Sequence, residues 1–553
     1  MSFVNVLDPR LKMESADDAV FVVKTGPTAS YTVLPPQNTP LNANNLVYQL
    51  NSVGSNVGRN RLMYVRCTGS FLINGTFSAL PSPGQIGFKC APFNRSCQSV
   101  QHTLNGVSET YNNNQIIDFI TRIKAPAQEI NRFDNFQPDT TSDFASASLS
   151  PLSPIVPYFN VSVGDVQKSR TVGITGVSVS AGTLPTATQI TVSFDFVEPL
   201  ITPFSALDND LPALYAIDGE NININFVGNG LSDALCYNLG TWASSISSIV
   251  CQLQTASLQL EYITGRNVVL PSKALYQFPK YQVFQQGLGN IASGASITGT
   301  VQINSQTVPS KLVVFARPPE QNRTPLTPDA YLSLNQVQAQ IDNGLTLLQS
   351  MSQKQLWDAS TKNGLCMPFA LWNQQNVAGW NGSSNIWGCG SVLILDPVKD
   401  LSLSSTEGLT VGSAGKYTIN ITANFTNNTG STVSNVNLYC FIVNDALLVR
   451  DGRNYMTSYL TFTPEQVENA KRNASTVDVL EIEHAHRKNL FLSGGGIAST
   501  LGKHAVNIGK FALQNKDELL SIGKAAYGAY SKYKTKHTKG SGMEHDGLYM
   551  EYA

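Results

Sequence analysis

The sequence predicts a mainly β protein of at least two domains, and three observations carry that prediction. Hydrophobic residues recur at every second position in many short runs. Clusters of Gly, Pro, Asn and Ser separate those runs. The chain is 553 residues long, beyond the ~250–300 residues at which a single hydrophobic core stops growing. Charged residues are only 14%, against roughly 25% in an average soluble chain, so the surface is expected to be polar but uncharged. With 42% hydrophobic and 9% aromatic residues there is material for packed cores. No run reaches the ~18 apolar residues that a membrane-spanning helix needs.

Period-two alternation means that one face of a strand is buried, because successive side chains leave opposite sides of a sheet. In 189–197, Ile190, Val192, Phe194 and Phe196 alternate with Thr191, Ser193 and Asp195; in 257–262, Leu258, Leu260 and Tyr262 alternate with polar neighbours. The second half repeats the pattern at 297–303 (Ile297, Val301, Ile303), 416–425 (Tyr417, Ile419, Ile421, Ala423, Phe425) and 435–442 (Val436, Leu438, Cys440, Ile442). Turn-forming clusters at 35–45, 81–86, 137–157, 285–295, 380–390 and 426–434 predict long loops. Two short helical patterns interrupt the strands, at about 113–123 and about 344–358. The segment 264–280, with a glycine and two prolines, is the expected domain boundary. After about Tyr455 the pattern turns helical: Thr463-Pro464-Glu465 reads as an N-cap leading into 464–473, and 497–533 is amphipathic with lysines between its apolar positions. No repeat of 20–50 residues is visible, which disfavours a propeller or solenoid.

Charge is unevenly placed. Residues 1–483 carry 27 basic and 33 acidic side chains, whereas 487–540 carry 10 basic and 2 acidic. The basic tail has three readings: a solvated helix face, a contact with nucleic acid or a membrane surface, or an internal assembly element. Met1 to Met13 contains Asp8, Arg10 and Lys12 where an export signal needs an apolar run. The eight cysteines, at 67, 90, 97, 236, 251, 366, 389 and 440, show no paired metal spacing and are expected to be reduced and mostly buried.

Catalytic motifs are missing from the sequence: no GxSxG, HExxH, P-loop or GxGxxG after a strand is found. Only His102 lies in the β-rich body, and a solvated or hydrogen-bonded histidine is the expectation for it. Glu481, Glu483, His484 and His486 form a suggestive string, yet alternating exposed polar residues explain it more simply than a zinc site. Asp208 and Asp210 lie in a Pro- and Asn-rich loop that suits Asx turns. No enzyme activity, cofactor or metal is expected.

The order of several segments resembles a known family. In the first half these are RLMYVRCTGSFLINGTF (61–77), QSVQHTLNGVSETYNNNQIIDFITRI (98–123) and QITVSFDFVEPLITPF (189–204). In the second half they are YQFPKYQVFQQGLGNIASGASITGTVQINSQTVPSKLVVFARPPE (276–320) and DAYLSLNQVQAQIDNGLTLLQSMSQKQLWDASTKNG (329–364). Their order and spacing are similar to the double jelly-roll major capsid proteins of virophages and related polinton-like viruses, over most of residues 5–495. The resemblance implies two consecutive eight-stranded antiparallel jelly-roll sandwiches, to which the spacing of apolar residues adds the short inserted helices and an α-helical C-terminal tail. It divides the chain into 1–265 (N-terminal arm and first roll), 266–455 (second roll) and 456–553 (basic tail). It also implies a homotrimeric, pseudo-hexagonal capsomer tiling an icosahedral double-stranded DNA virus shell, with neighbouring capsomers and penton or minor capsid proteins as partners. Trp242, Trp357, Trp372, Trp380 and Trp387 are core or trimer-interface candidates. A β-sandwich receptor-binding or lectin-like spike is the alternative, and a β-sandwich glycoside hydrolase is a third, weaker one.

A second resemblance concerns the tail. Leu492-Ser493-Gly494-Gly495-Gly496 is similar to the hydrophobic-x-Gly-Gly sites of adenovirus-type maturation proteases, which implies cleavage after Gly495. Paired glycines suit a narrow extended protease groove, and equally a hinge between helices. Beyond it, Lys503, Lys510, Lys524, Tyr527, Tyr530, Lys532, Tyr533, Lys534 and Lys536 are candidate inward contacts to genome, internal membrane or a minor capsid protein.

Overall fold

The computed structural model describes residues 28–463, apart from 39–43, 51, 55–56, 82–84, 125–135, 137–172, 208–211, 238–241, 265–272, 324–330, 343, 345, 379–384 and 404–408. The principal strands of the first half are β1 (Thr28–Leu34), β2 (Asn45–Leu50), β3 (Val57–Phe77), β4 (Cys97–Leu104), β5 (Val107–Tyr111), β6 (Ala187–Pro199), β7 (Glu220–Phe226) and β8 (Ala243–Thr264). Those of the second half are β9 (Lys273–Ile291), β10 (Ser296–Thr307), β11 (Lys311–Arg317), β12 (Ser333–Ile341), β13 (Thr346–Leu347), β14 (Leu393–Leu395), β15 (Ala414–Thr426) and β16 (Val433–Asp451).

Hydrogen bonding sorts each set of eight into two antiparallel sheets. In the first half the orders are β1-β8-β3-β6 and β2-β7-β4-β5; in the second they are β9-β16-β11-β14 and β10-β15-β12-β13. Taken by rank along each half, both read 1-8-3-6 facing 2-7-4-5, the paired Greek keys of a jelly roll. The chain is therefore a double jelly roll. Outer strands widen the first sheet of each roll: Ile174–Ala181 lies beside β6, and Asn454–Tyr459 beside β16.

The period-two readings hold where one face is wet. β6 buries Ile190, Val192, Phe194 and Phe196, and β15 buries Tyr417, Ile419, Ile421, Ala423 and Phe425. Phe71, Phe88, Phe194 and Phe196 stack in the first core, with ring centroids 4.8 Å apart for Phe71–Phe194 and 5.2 Å for Phe88–Phe196. On the outside of the second roll, β10 and β15 are joined by an uncharged ladder in which Ser296 meets Thr426 at 2.6 Å and Thr300 meets Thr422 at 2.9 Å. Such cross-strand hydroxyl pairs are a usual stabilising unit of sheets.

Four local expectations are corrected. The run 435–442 was expected to alternate, but β16 is buried without interruption from Leu438 to Ala446, with Phe119 of α2 (Asn113–Phe119), from the first half, packed on Phe441. A strand covered on both faces reads as a continuous apolar run, and β11, buried along all seven residues, behaves likewise. The predicted helix at 344–358 begins only at α3 (Gln353–Lys362), where Ser352 and Gln355 form a capping box; Thr346–Leu347 pairs with β12 instead. The turn cluster at 285–295 and the end of the expected boundary at 264–280 are largely strand. β9 begins at Lys273 and keeps Pro279 because it is an edge strand that pairs only with β16. Its register shifts at Gly287 and Gly289 let the ladder continue through the glycines. Finally, Asn454–Tyr459 is strand rather than the start of a helical region, folded back on β16 by the turn at Gly452, whose φ is 62°.

Candidate functional site: the junction between the two rolls

The two rolls are joined by a charged cluster with no aqueous face. α2 continues into one wider turn, Ile120–Lys124, so Asp118 and Arg122 project from the same side, four residues apart. A short helix, α1 (Pro92–Ser96), brings Arg95 to that side, and Lys89 follows a short strand just before it. The second roll contributes Arg317, the last residue of β11, then Glu320 in a single 3-10 turn and Arg323 just beyond it. None of these seven side chains is more than 2% exposed.

Asp118 receives the cations of both rolls. Arg95 Nη2 lies 2.9 Å from Oδ1, Arg317 Nε 3.0 Å from Oδ2, Arg323 Nη2 3.3 Å from Oδ2 and Arg122 Nη1 3.4 Å from Oδ1. Glu320 answers from the other side, 3.4 Å from Lys89 Nζ and from Arg95 Nη1, and 3.5 Å from Arg323 Nε. Burial alone drives a carboxyl upward. Here the surrounding guanidinium groups outweigh it, holding Asp118 well below the carboxylate range and bringing Glu320 down to about 2. Two further donors find carbonyls: Arg95 Nε donates to Cys90 O at 2.8 Å, and Arg317 Nη2 to Asn114 O at 2.7 Å. Aromatic faces complete the packing. Arg122 lies 4.8 Å and Arg323 5.5 Å from the Tyr331 ring centroid, and Arg317 lies 5.0 Å from that of Tyr439.

Around this centre the seam is continued by direct contacts between the halves. Phe119 meets Phe441 edge-on at 5.3 Å. Arg61 donates to Phe204 O at 3.1 Å and across the seam to Gln277 O at 2.8 Å. Lys280 pairs with Glu109 at 3.1 Å, and the Tyr111 and Tyr455 hydroxyls donate to the carbonyls of Pro279 and Tyr215. The arrangement can bind and orient; it offers no open face for a reacting substrate. Its role is to fix one roll against the other.

His102 is a second buried polar site. Its Nε2 lies 2.6 Å from Glu220 Oε1, which also takes Arg59 Nη2 at 2.5 Å, and its Nδ1 lies 2.8 Å from Thr202 Oγ1. Thr202, His102 and Glu220 have the connectivity of a nucleophile, a base and an orienting acid. Yet the His102 and Glu220 side chains are sealed and Thr202 is 1% exposed, so the hydrogen-bonded alternative of the sequence reading is the one observed. Burial lowers the His102 pKa despite Glu220.

Other sequence candidates are placed as follows. Trp242 and Trp372 are core residues; Trp357 is partly buried against Phe369, donating to Met367 O at 2.8 Å. Cys67, Cys90, Cys97, Cys236, Cys389 and Cys440 are buried, while Cys366 is exposed. Trp380, Asp208, Asp210, the string from Glu481 to His486, the Leu492–Gly496 site and the lysines and tyrosines from Lys503 to Lys536 lie outside the described residues. Sequence reasoning missed the junction. Its one available signal was the charge-bearing run Arg317-Pro318-Pro319-Glu320 directly after the wholly apolar centre of β11.

Two eight-stranded rolls with one strand order, closed on each other by an internal ionic seam, define a double jelly-roll protein. Comparison with known proteins makes this specific. Residues 278–446 match the family described as the major capsid protein V20 C-terminal domain. Capsid protein V20 of Sputnik virophage is 24% identical over 552 residues, spanning 93% of this chain and 89% of its own. The fold is shared with the cryo-EM structure of the Sputnik virophage (TM-score 0.69, 19% identity, 87% of this chain and 98% of that one). It is shared too with the crystal structure of the mavirus major capsid protein (TM-score 0.67, 14% identity, 85% and 98%). The chain is similar along most of its length to virophage major capsid proteins and shares their double jelly-roll fold.

Proposed function

We propose that this chain is the major capsid protein whose homotrimer forms a pseudo-hexagonal capsomer, and that capsomers tile an icosahedral shell around double-stranded DNA. The observation that carries the reading is the repetition of one strand order in two rolls locked by a buried junction. Three rigid pairs make six similar wedges, and closed symmetry within a capsomer leaves repeated contacts between capsomers. The functional divisions are 1–265, 266–455 and 456–553, with no catalytic role. Penton and minor capsid proteins are the further partners. The tail is cleaved after Gly495 by a maturation protease, and its basic remainder faces the genome or an internal membrane.

Light scattering on the purified chain tests the first part. A particle of roughly 180 kDa, three times 59.8 kDa, with ring-shaped images supports it; a monomer at every salt concentration overturns it. Intact mass of the protein from mature particles tests the cleavage: a full-length chain there ends that idea.

A further inference from the structure

The His102 network reaches the seam between the rolls through one short turn. Thr202-Pro203-Phe204-Ser205 follows β6 and is closed on itself: Ser205 Oγ accepts from Thr202 N at 2.8 Å and donates to Thr202 O at 2.9 Å, while Ser205 N donates to Thr202 Oγ1 at 3.1 Å. Phe204, wholly buried, packs on the His102 ring at 5.0 Å and on Phe278 of the second roll at 5.3 Å. Its carbonyl takes Arg61 Nε, whose Nη2 reaches Gln277 O. The turn is tied to β4 by the bond between Thr202 Oγ1 and His102 Nδ1 at 2.8 Å.

The direction of that bond follows from its neighbours. Glu220 Oε1 lies 2.6 Å from His102 Nε2 and also accepts from Arg59. Burial raises the Glu220 carboxyl, but Arg59 and His102 outweigh it and keep it ionised. It can therefore only accept, so Nε2 carries the ring proton, Nδ1 is bare and the Thr202 hydroxyl donates to it. A second ring proton, at Nδ1, would point at the hydroxyl's own hydrogen and force the hydroxyl to turn away. It would also add charge beside Arg59 and Arg61, the two cations of β3 that act on the ring. Glu109, opposite His102 on β5, is engaged by Lys280 of β9. Tyr262 of β8 and Tyr455, which act on Glu220 and Arg59, are kept neutral by burial.

We propose that His102 is an acid-sensitive latch: one proton taken from solution at Nδ1 breaks the bond from the Thr202 hydroxyl and frees the Thr202–Ser205 turn, with Phe204, from its seat between the rolls. Burial holds the ring below its ordinary value of about 6.5. The latch is therefore closed above that value and opens progressively as pH falls below it. The site lies within the single chain, so it stands apart from the trimer reading and does not depend on it.

The test is amide hydrogen exchange of the full-length protein, read by mass at Phe204 and Ser205, with exchange times scaled to the intrinsic rate at each pH. Protection at the turn is expected to fall between about pH 7 and about pH 5, by at most about ten-fold per pH unit for a one-proton opening. His102→Gln keeps a donor for Glu220 but has no second site to protonate, and is expected to remove this fall. Glu198, a buried carboxyl raised to about 7, is common to both chains and cancels in the comparison. Unchanged protection in the wild-type chain across this range, or the same fall in His102→Gln, overturns the proposal. Should His102→Gln fail to fold, the wild-type chain decides, because hydrogen exchange at C2 of the His102 imidazole reports the ring's own titration. Turn protection that falls with that titration supports the latch; protection lost elsewhere on the pH scale, or not at all, overturns it.

Discussion

Two buried carboxylates, one inside the first roll and one at the junction, show how differently the regions treat charge. Glu198 ends β6 against the core and is met by neutral donors: Phe93 N at 3.1 Å, Asn94 N at 2.7 Å and Asn94 Nδ2 at 2.6 Å. Burial wins there, and its pKa is pushed up to about 7. Glu320 is as deeply buried but faces Lys89, Arg95, Arg317 and Arg323, and falls to about 2. Inside a roll, apolar packing supplies cohesion and polar groups need only be satisfied. At the seam, apolar contacts such as Phe204 against Phe278 at 5.3 Å are joined by ion pairs, whose partners fix the mutual orientation of the two units.

The comparison is broken most severely at its centre. Asp118→Asn leaves Arg95, Arg317 and Arg323 facing a neutral side chain, and a loss of about 3–5 kcal/mol is expected, measured as the denaturation midpoint. If the variant is instead as stable as the parent, the ionic account of the seam fails. Next comes the pH dependence of the first roll. Because Glu198 has its pKa raised in the fold, its contribution to stability is full below about 4.5, the unfolded value, and is lost as pH rises through about 7. Glu198→Gln is expected to flatten that fall, about 3 kcal/mol in all. Glu320 works oppositely: its contribution is present above about 4.5 and fades as pH drops toward 2, so Glu320→Gln is expected to lower stability above about 4.5 and to flatten the acid limb. Smaller still is Tyr111→Phe, which removes one hydroxyl donor across the seam and is expected to cost about 1 kcal/mol. Arg66→Ala sharpens the contrast from outside. Its pair with Asp195 is 49% and 35% exposed, and a change of at most about 1 kcal/mol, shrinking with salt, is expected.

What could be read from the sequence follows the same division. β6, β8, β10 and β15 were visible because one face is wet and alternation survives. β11 and the middle of β16 lost their alternation because both of their faces are buried, so only their apolar length remained. The junction was not legible, since Arg95, Asp118, Arg317 and Glu320 come from four separate segments and each reads alone as a surface charge. His102 was singled out by scarcity, yet Glu220 and Arg59, which fix it, carry no local signal.

The repeated strand order also has a directional meaning. In the proposed trimer, two rolls of equal topology but unequal sequence would make a ring of three chains alternate in character at every step. Such a ring would have the outline of a hexagon and the compass of a triangle. Its neighbours on a hexagonal grid would be told apart by rotation, and a sheet of them would carry an orientation that a true sixfold tile would erase.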